Sequence, residues 1–166
     1  MLNLEEIFSR KKSQRMVAEF LLRNGIRVSE DRRISLRGVE LNQSSLARVL
    51  GVDRRLVSST VNLILQDSKL KKIFTRLDST LLLRDVAPEL GLGAIEIIPE
   101  DAKSKGIIAG VSRIIANAGI SVRQITADDP MFSDAKMTIV TEKPLPRELI
   151  DEMLRIPGVK KIIVLS

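Results

Sequence analysis

Apolar positions in the first half of this chain fall mostly at helical spacing, and in the second half strand-like runs join them. Met16, Val17, Phe20 and Leu21 place a helix over residues 3–24, with Gly25 ending the run. Asn3 suits its N-cap, and Glu5 and Glu6 suit the positive end of its dipole. Arg10, Lys11 and Lys12 interrupt the apolar stripe, so a break near Ser13 stays open. Residues 33–41, RISLRGVEL, alternate on either side of Arg37-Gly38 and predict a small hairpin. Arg27, Arg32, Arg33 and Arg37 decorate it, either as phosphate contacts or as solubilising charge. Leu46, Ala47, Val49 and Leu50 predict one helix, and Leu56, Val57, Val61 and Ile64 a second. Beyond Asp67, Leu70, Ile73, Phe74 and Leu77 share a helical face. A winged hairpin turning at Asp78-Ser79 is the alternative over 67–83, and periodicity favours the helix.

Residues 84–93, RDVAPELGLG, carry Pro88, Gly91 and Gly93 and read as a connection, although Leu81–Leu83 are too apolar to be free linker. Ala94–Ile98 then reads as a strand. Ile107, Val111, Ile114, Ile115 and Ala118 form one face of a helix. Ser121–Ala127 and Met137–Thr141 read as strands. A helix over Pro146–Leu154 turns Leu149, Ile150, Met153 and Leu154 inward, and Val159–Leu165 is the last strand. The order is βαββαβ, a ferredoxin-like arrangement with an antiparallel sheet and both helices on one face. The fold class is therefore α+β, with domains at 1–83 and 94–166 joined by 84–93.

Within the first half, Gln43–Asn62, QSSLARVLGVDRRLVSSTVN, has a distinctive spacing. Ala47 is small enough for a second helix to cross closely. Gly51 suits a left-handed turn, Val52 plugs the corner, and Asp53 is a good N-cap. This spacing resembles the helix-turn-helix family. Removing the buried positions of the second helix leaves Arg54, Arg55, Ser58, Ser59 and Asn62 facing outward. Those residue types reach phosphates and base edges in a major groove. Asn62 and Arg55 are the candidates for base edges, and Arg54 for phosphate. An ordinary helical hairpin is the competing reading.

Charge sharpens the picture. The chain has 166 residues and a net charge of +6. Residues 1–80 hold 16 Lys/Arg against 9 Asp/Glu, or +7; residues 81–166 hold 11 against 12, or −1. The excess lies wholly on the half with the helix-turn-helix pattern, as expected of a partner for duplex DNA. Aromatics are 2%, too few for the stacking platforms of single-strand binders. Without Cys or His, thiol catalysis, disulfides and the common zinc sites are excluded. Glu100-Asp101 and Asp128-Asp129 are adjacent acids in loops that could bind a metal, although adjacent acids in turns are usually just solvated. The expectation is no catalytic residue, no metal, no cofactor and no enzyme activity. No apolar run nears the ~20 residues of a membrane helix. The N-terminus lacks a secretory pattern. Both suit a cytoplasmic protein.

In the second half, GIIAGVSRIIANAGISV (Gly106–Val122) and IPGVKKIIVL (Ile156–Leu165) resemble the ACT family of small-molecule sensing domains. The resemblance covers about residues 94–166. One departure is Lys105, where the family often has Pro. The resemblance implies pairing through the sheets into a homodimer and an amino-acid effector at the interface. Free N–H groups at a helix start attract carboxylates. The candidate ligand residues are Lys105, Gly106, Ile107, Ile108 and Gly110, faced by Ile120, Ser121 and Val122 of the same or a partner chain. In the competing reading, Gly106 and Gly110 serve only helix initiation and close packing.

Head and module together resemble archaeal and bacterial regulators of amino-acid metabolism. The expectation is a transcriptional regulator that binds double-stranded DNA and senses a small molecule. The alternative is a regulatory subunit of an amino-acid biosynthetic enzyme, whose first half docks the catalytic chain.

Overall fold

The computed structural model describes residues 4–9 and 11–165. Asn3 and Arg10, and the side chain of Glu5, lie outside that description. The class is mixed α and β, and the chain divides into two compact units, Met1–Leu81 and Leu82–Ser166.

In the first unit, the helix expected over 3–24 is two helices, α1 (Leu4–Ile7) and α2 (Lys12–Arg23). The break has a geometric cause. On one continuous helix, at about 100° per residue, Phe8 would point roughly opposite Val17. Breaking the helix lets Leu4, Phe8, Val17, Ala18 and Leu21 all be buried, while Met16 is left exposed.

Strands β1 (Arg27–Val28), β2 (Ile34–Leu36) and β3 (Val39–Leu41) form an antiparallel sheet in that order. Arg37 and Gly38 both take positive φ, 49° and 86°, as a two-residue hairpin turn demands. β1 is only two residues long and leaves no readable period in the sequence.

Helices α3 (Gln43–Leu50), α4 (Arg54–Gln66) and α5 (Ser68–Phe74) complete the unit. α4 packs against α2, α3 and α5 and buries Val57, Thr60, Val61 and Ile64. The hydroxyl of Thr60 donates to the Leu56 carbonyl at 2.7 Å, which removes the cost of its burial. Leu56 itself is only half-buried, and Val49 of α3 is exposed rather than inward. Over 67–83, α5 forms and no second hairpin does. Asp67 decides this locally, because its carboxylate accepts from the N–H groups of Lys69 and Leu70 at 2.9 and 2.8 Å.

The second unit runs β4 (Gly93–Pro99), α6 (Ile107–Asn117), β5 (Val122–Ala127), β6 (Met137–Thr141), α7 (Arg147–Met153) and β7 (Val159–Val164). Its four strands are antiparallel in the order β5-β6-β4-β7. The main core joins Ile95, Ile97, Met137 and Ile139 of the central strands to Val111, Ile115 and Met153 of the two helices. Two inward assignments do not hold: Ala118 and Leu154 are exposed, each just past the end of its helix.

Both central strands are buried on both faces. Residues 84–93, expected as a connection, explain this. Leu83, Ala87 and Leu92 pack with Ala94 and Val140 on the side of the sheet away from the main core. A turn of 3-10 helix at Pro88–Leu90 holds this cover in place, and the Leu83 N–H donates to Gln124 Oε1 at 2.9 Å. Leu81 and Leu82 remain exposed.

Candidate functional site

The geometry of α3 and α4 follows from local chemistry. Asn42 caps α3 by accepting from the Ser44 N–H at 2.8 Å. Gly51 ends it at φ 65°, ψ 33°. The Val52 N–H then returns to the Ala47 carbonyl at 2.9 Å, and that of Gly51 to Arg48 at 3.3 Å, which is a Schellman closure. Asp53 starts α4 by accepting from the Arg55 N–H at 2.6 Å. Two residues outside the helices therefore fix the crossing of α4 over α3.

One shallow depression on α4 brings Arg54, Arg55, Ser58, Ser59 and Asn62 together, alongside Asp53. The structure then separates these five. Ser58 is half-buried, and its hydroxyl donates to Gln43 Oε1 at 2.6 Å. The Ser59 hydroxyl donates to the Leu56 carbonyl at 2.9 Å and accepts from Gln14 Nε2 of α2 at 3.0 Å. Arg54, Arg55 and Asn62 make no side-chain hydrogen bond or ion pair among the described residues. Arg54 and Arg55 are exposed and Asn62 is half-buried, so these three polar groups are not committed within the unit, whereas both serines are hydrogen-bonded to it.

A second depression, lined by Arg32, Arg33, Glu40, Asn42, Gln43 and Arg54, lies between the β1–β2 loop, β3, the start of α3 and the start of α4. Sequence reasoning grouped Arg32 with three other arginines and did not pair it with Arg54. Proximity across 22 residues leaves no periodic trace.

In the second unit, Lys105, Gly106 and Ile108 are exposed around the start of α6, where Gly106 has φ 93° and no side chain caps the helix. Ile107 is buried in the main core. Gly110 does not hold a face open: a Cβ there would lie 3.2 Å from Ile156 Cδ1, so it serves close packing. Ile120 is core, while Ser121 and Val122 are exposed. Ile120–Val122 follow α6, whose 11 residues span roughly 16 Å. Within one chain the two halves of the expected ligand site lie at opposite ends of that helix.

A cavity does adjoin the start of α6. Ile97, Pro99, Ile107, Ile108, Ala127 and Met137 line it, with Ser104, Asp128 and Lys136 at its polar part. Its volume is about 80 Å³. That is roughly half the ~150 Å³ able to hold benzene, and it suits a short aliphatic group.

The paired acids act as turn formers. Asp101 accepts from the Lys103 N–H and Asp129 from the Met131 N–H, at 2.9 and 2.8 Å. Among the described residues no group of three acidic side chains could hold a metal, and no helix is long and apolar enough to cross a membrane.

A different carboxylate is buried. Glu96 of β4 is 3% exposed, with Arg84 Nε 2.9 Å and Lys136 Nζ 2.6 Å from its Oε1. Arg84 comes from the covering segment and Lys136 from the residue before β6, so Glu96 ties both to the sheet. Nothing in the sequence marked Glu96 as different from the other acids.

No protein-family model matches this chain, and no curated protein matches it. Among solved structures, one described as "Crystal structure of PH0061" is similar at 17% identity, covering 93% of this chain and 90% of that one, with a TM-score of 0.27. A likeness this loose establishes neither fold nor function.

Proposed function

We propose that this chain is a DNA-binding transcriptional regulator of amino-acid metabolism that works as a homodimer. In this reading α3 and α4 form a helix-turn-helix, and α4 enters the major groove of double-stranded DNA. One observation carries it: Arg54 and Arg55, both exposed, and the half-buried Asn62 line one depression on α4 with no side-chain partner among the described residues, while the helix packs against α2, α3 and α5. The +7 balance of residues 1–80 supports it, since phosphate neutralisation supplies most non-specific affinity.

The second unit is read as an ACT-like, ferredoxin-like module that dimerises and senses a small molecule, with an amino acid the leading candidate. The separation of Gly106–Ile108 from Ile120–Val122 along α6 means that a site using both needs two chains. An effector there acts by binding more tightly to one spacing of the two heads than another. Catalysis has no part in this reading.

The test is binding of the full chain to a pool of random duplex DNA across a salt series. The expected result is an affinity that falls linearly on log–log axes, by about 0.9 per phosphate contacted. Absence of duplex binding at about 50 mM salt, where such contacts are strongest, would remove the reading.

A further inference from the structure

We infer that Arg32, with Arg54, forms a second seat for duplex phosphate beside the groove-reading ridge. The inference rests on the DNA-binding reading above and extends it to the β1–β2 loop. Four arginines decorate this region, and their surroundings divide them. The Arg27 guanidinium donates to the Leu77 carbonyl at 3.0 Å. Arg33 is paired with Asp31 and Glu40. Arg37 sits at the hairpin turn, away from the Arg54 depression. Arg32 is exposed, makes no side-chain bond among the described residues, and shares a depression with the equally unpaired Arg54.

The backbone of Arg32 supplies an independent observation. It holds φ 67°, a left-handed conformation that glycine adopts more readily than a residue with a Cβ. Gln43 Nε2 donates to the Arg32 carbonyl at 3.0 Å, and Gln43 Oε1 accepts from Ser58. One side chain thus fixes the strained residue to α3 and α4 together. The turn that closes the β1–β2 loop, with the Arg32 N–H donating to the Ser29 carbonyl at 2.9 Å, thus carries a charged side chain at a position where glycine is easier. Two unpaired guanidinium groups lining one depression, whose carboxylate, Glu40, is paired with Arg33, suit a phosphodiester, which accepts hydrogen bonds from both.

The strain also provides a clean test. Arg32→Gly removes the guanidinium and relieves the backbone, so the variant should melt no lower than the parent. Full-length parent, Arg32→Gly and a control, Arg113→Ala on the exposed side of α6, would be titrated with random 30-base-pair duplex across a salt series. The expected result is that Arg32→Gly binds several-fold more weakly and its log–log slope falls by about 0.9, with the control unchanged. Parent and Arg32→Gly with equal affinity and slope would overturn this inference and leave the regulator reading intact. A parent that does not bind duplex would overturn both. Weakening confined to poly-glutamate, measured in parallel, would overturn it in favour of an acidic protein partner.

Discussion

Ser58 donates its hydroxyl to Gln43 Oε1 at 2.6 Å, while Gln43 Nε2 donates to the Arg32 carbonyl at 3.0 Å. The serine expected to read DNA is thereby committed to joining α3, α4 and the β1–β2 loop. Ser58→Ala should cost about 1 kcal/mol of stability, and Gln43→Ala about twice that, because it breaks both bonds. Sequence preference on DNA should survive Ser58→Ala. Urea denaturation of both variants checks the first expectation, and a binding-site screen checks the second.

Gly25 and Gly51 both hold a left-handed conformation, at φ 62° and 65°. Their surroundings differ. A Cβ on Gly51 meets nothing within 4 Å, whereas one on Gly25 would lie 2.2 Å from the Asp78 carbonyl oxygen. Gly51→Ala should therefore cost only the backbone strain, about 1–2 kcal/mol. Gly25→Ala adds a clash with backbone and should cost about 3 kcal/mol or more. Thermal melts of the two variants side by side decide this; equal losses would show that the 25–78 contact yields easily.

Glu96 has two cationic partners, and each covers for the other. Arg84→Ala or Lys136→Ala alone leaves the buried carboxylate one ion pair and should cost about 1 kcal/mol. The double variant strands a buried charge and should cost about 3 kcal/mol or more, exceeding the sum of the singles. Additive losses in denaturant titrations would mean that water reaches Glu96.

Arg33 donates a hydrogen bond to Asp31 and holds its carboxyl below the usual carboxylate range, against a smaller opposing effect of desolvation. A group whose pKa is depressed in the folded state stabilises it above the unfolded pKa, and that contribution is lost as pH falls through the folded value. The difference in melting temperature between parent and Asp31→Asn should thus be constant from neutral pH to about pH 5 and shrink below about pH 4. A difference that persists unchanged at low pH would assign the effect to packing.

The sequence was most legible where capping and periodicity agree. Gly51, Asp53 and Asp67 carry their function in their chemistry, so the turn after α3 and the starts of α4 and α5 could be read from residue types, while the Asn42 cap of α3 was missed. The strands of the second unit were similarly clear, since apolar and β-branched runs lie between turn residues. Relations set by tertiary geometry were not legible. The break before α2 was open in the sequence from the interruption at Arg10–Lys12, but its cause, the phase of Phe8 against Val17, was not. Residues 84–93 read as a connection because their apolar residues form no periodic run between Pro88, Gly91 and Gly93, yet Ala87 and Leu92 converge on Ala94 and Val140. At the site, which outward-facing residues are free could not be read: Ser58 and Ser59 match DNA-reading chemistry as well as Asn62 does, and partners distant in sequence remove them. Which of the two readings of Gly110 applies was likewise not legible, because Ile156, which fills the space it leaves, is distant in sequence.

The most direct measurement is selection of bound sequences from a random duplex pool by the full chain, followed by the same selection with Arg55→Ala. The expected result is enrichment of two related half-sites spaced by about one helical turn, ~10 base pairs, with preference relaxed at one position per half-site in the variant. Recovery of unenriched sequence by the parent, at salt low enough for duplex binding, would contradict a groove-reading role for α4.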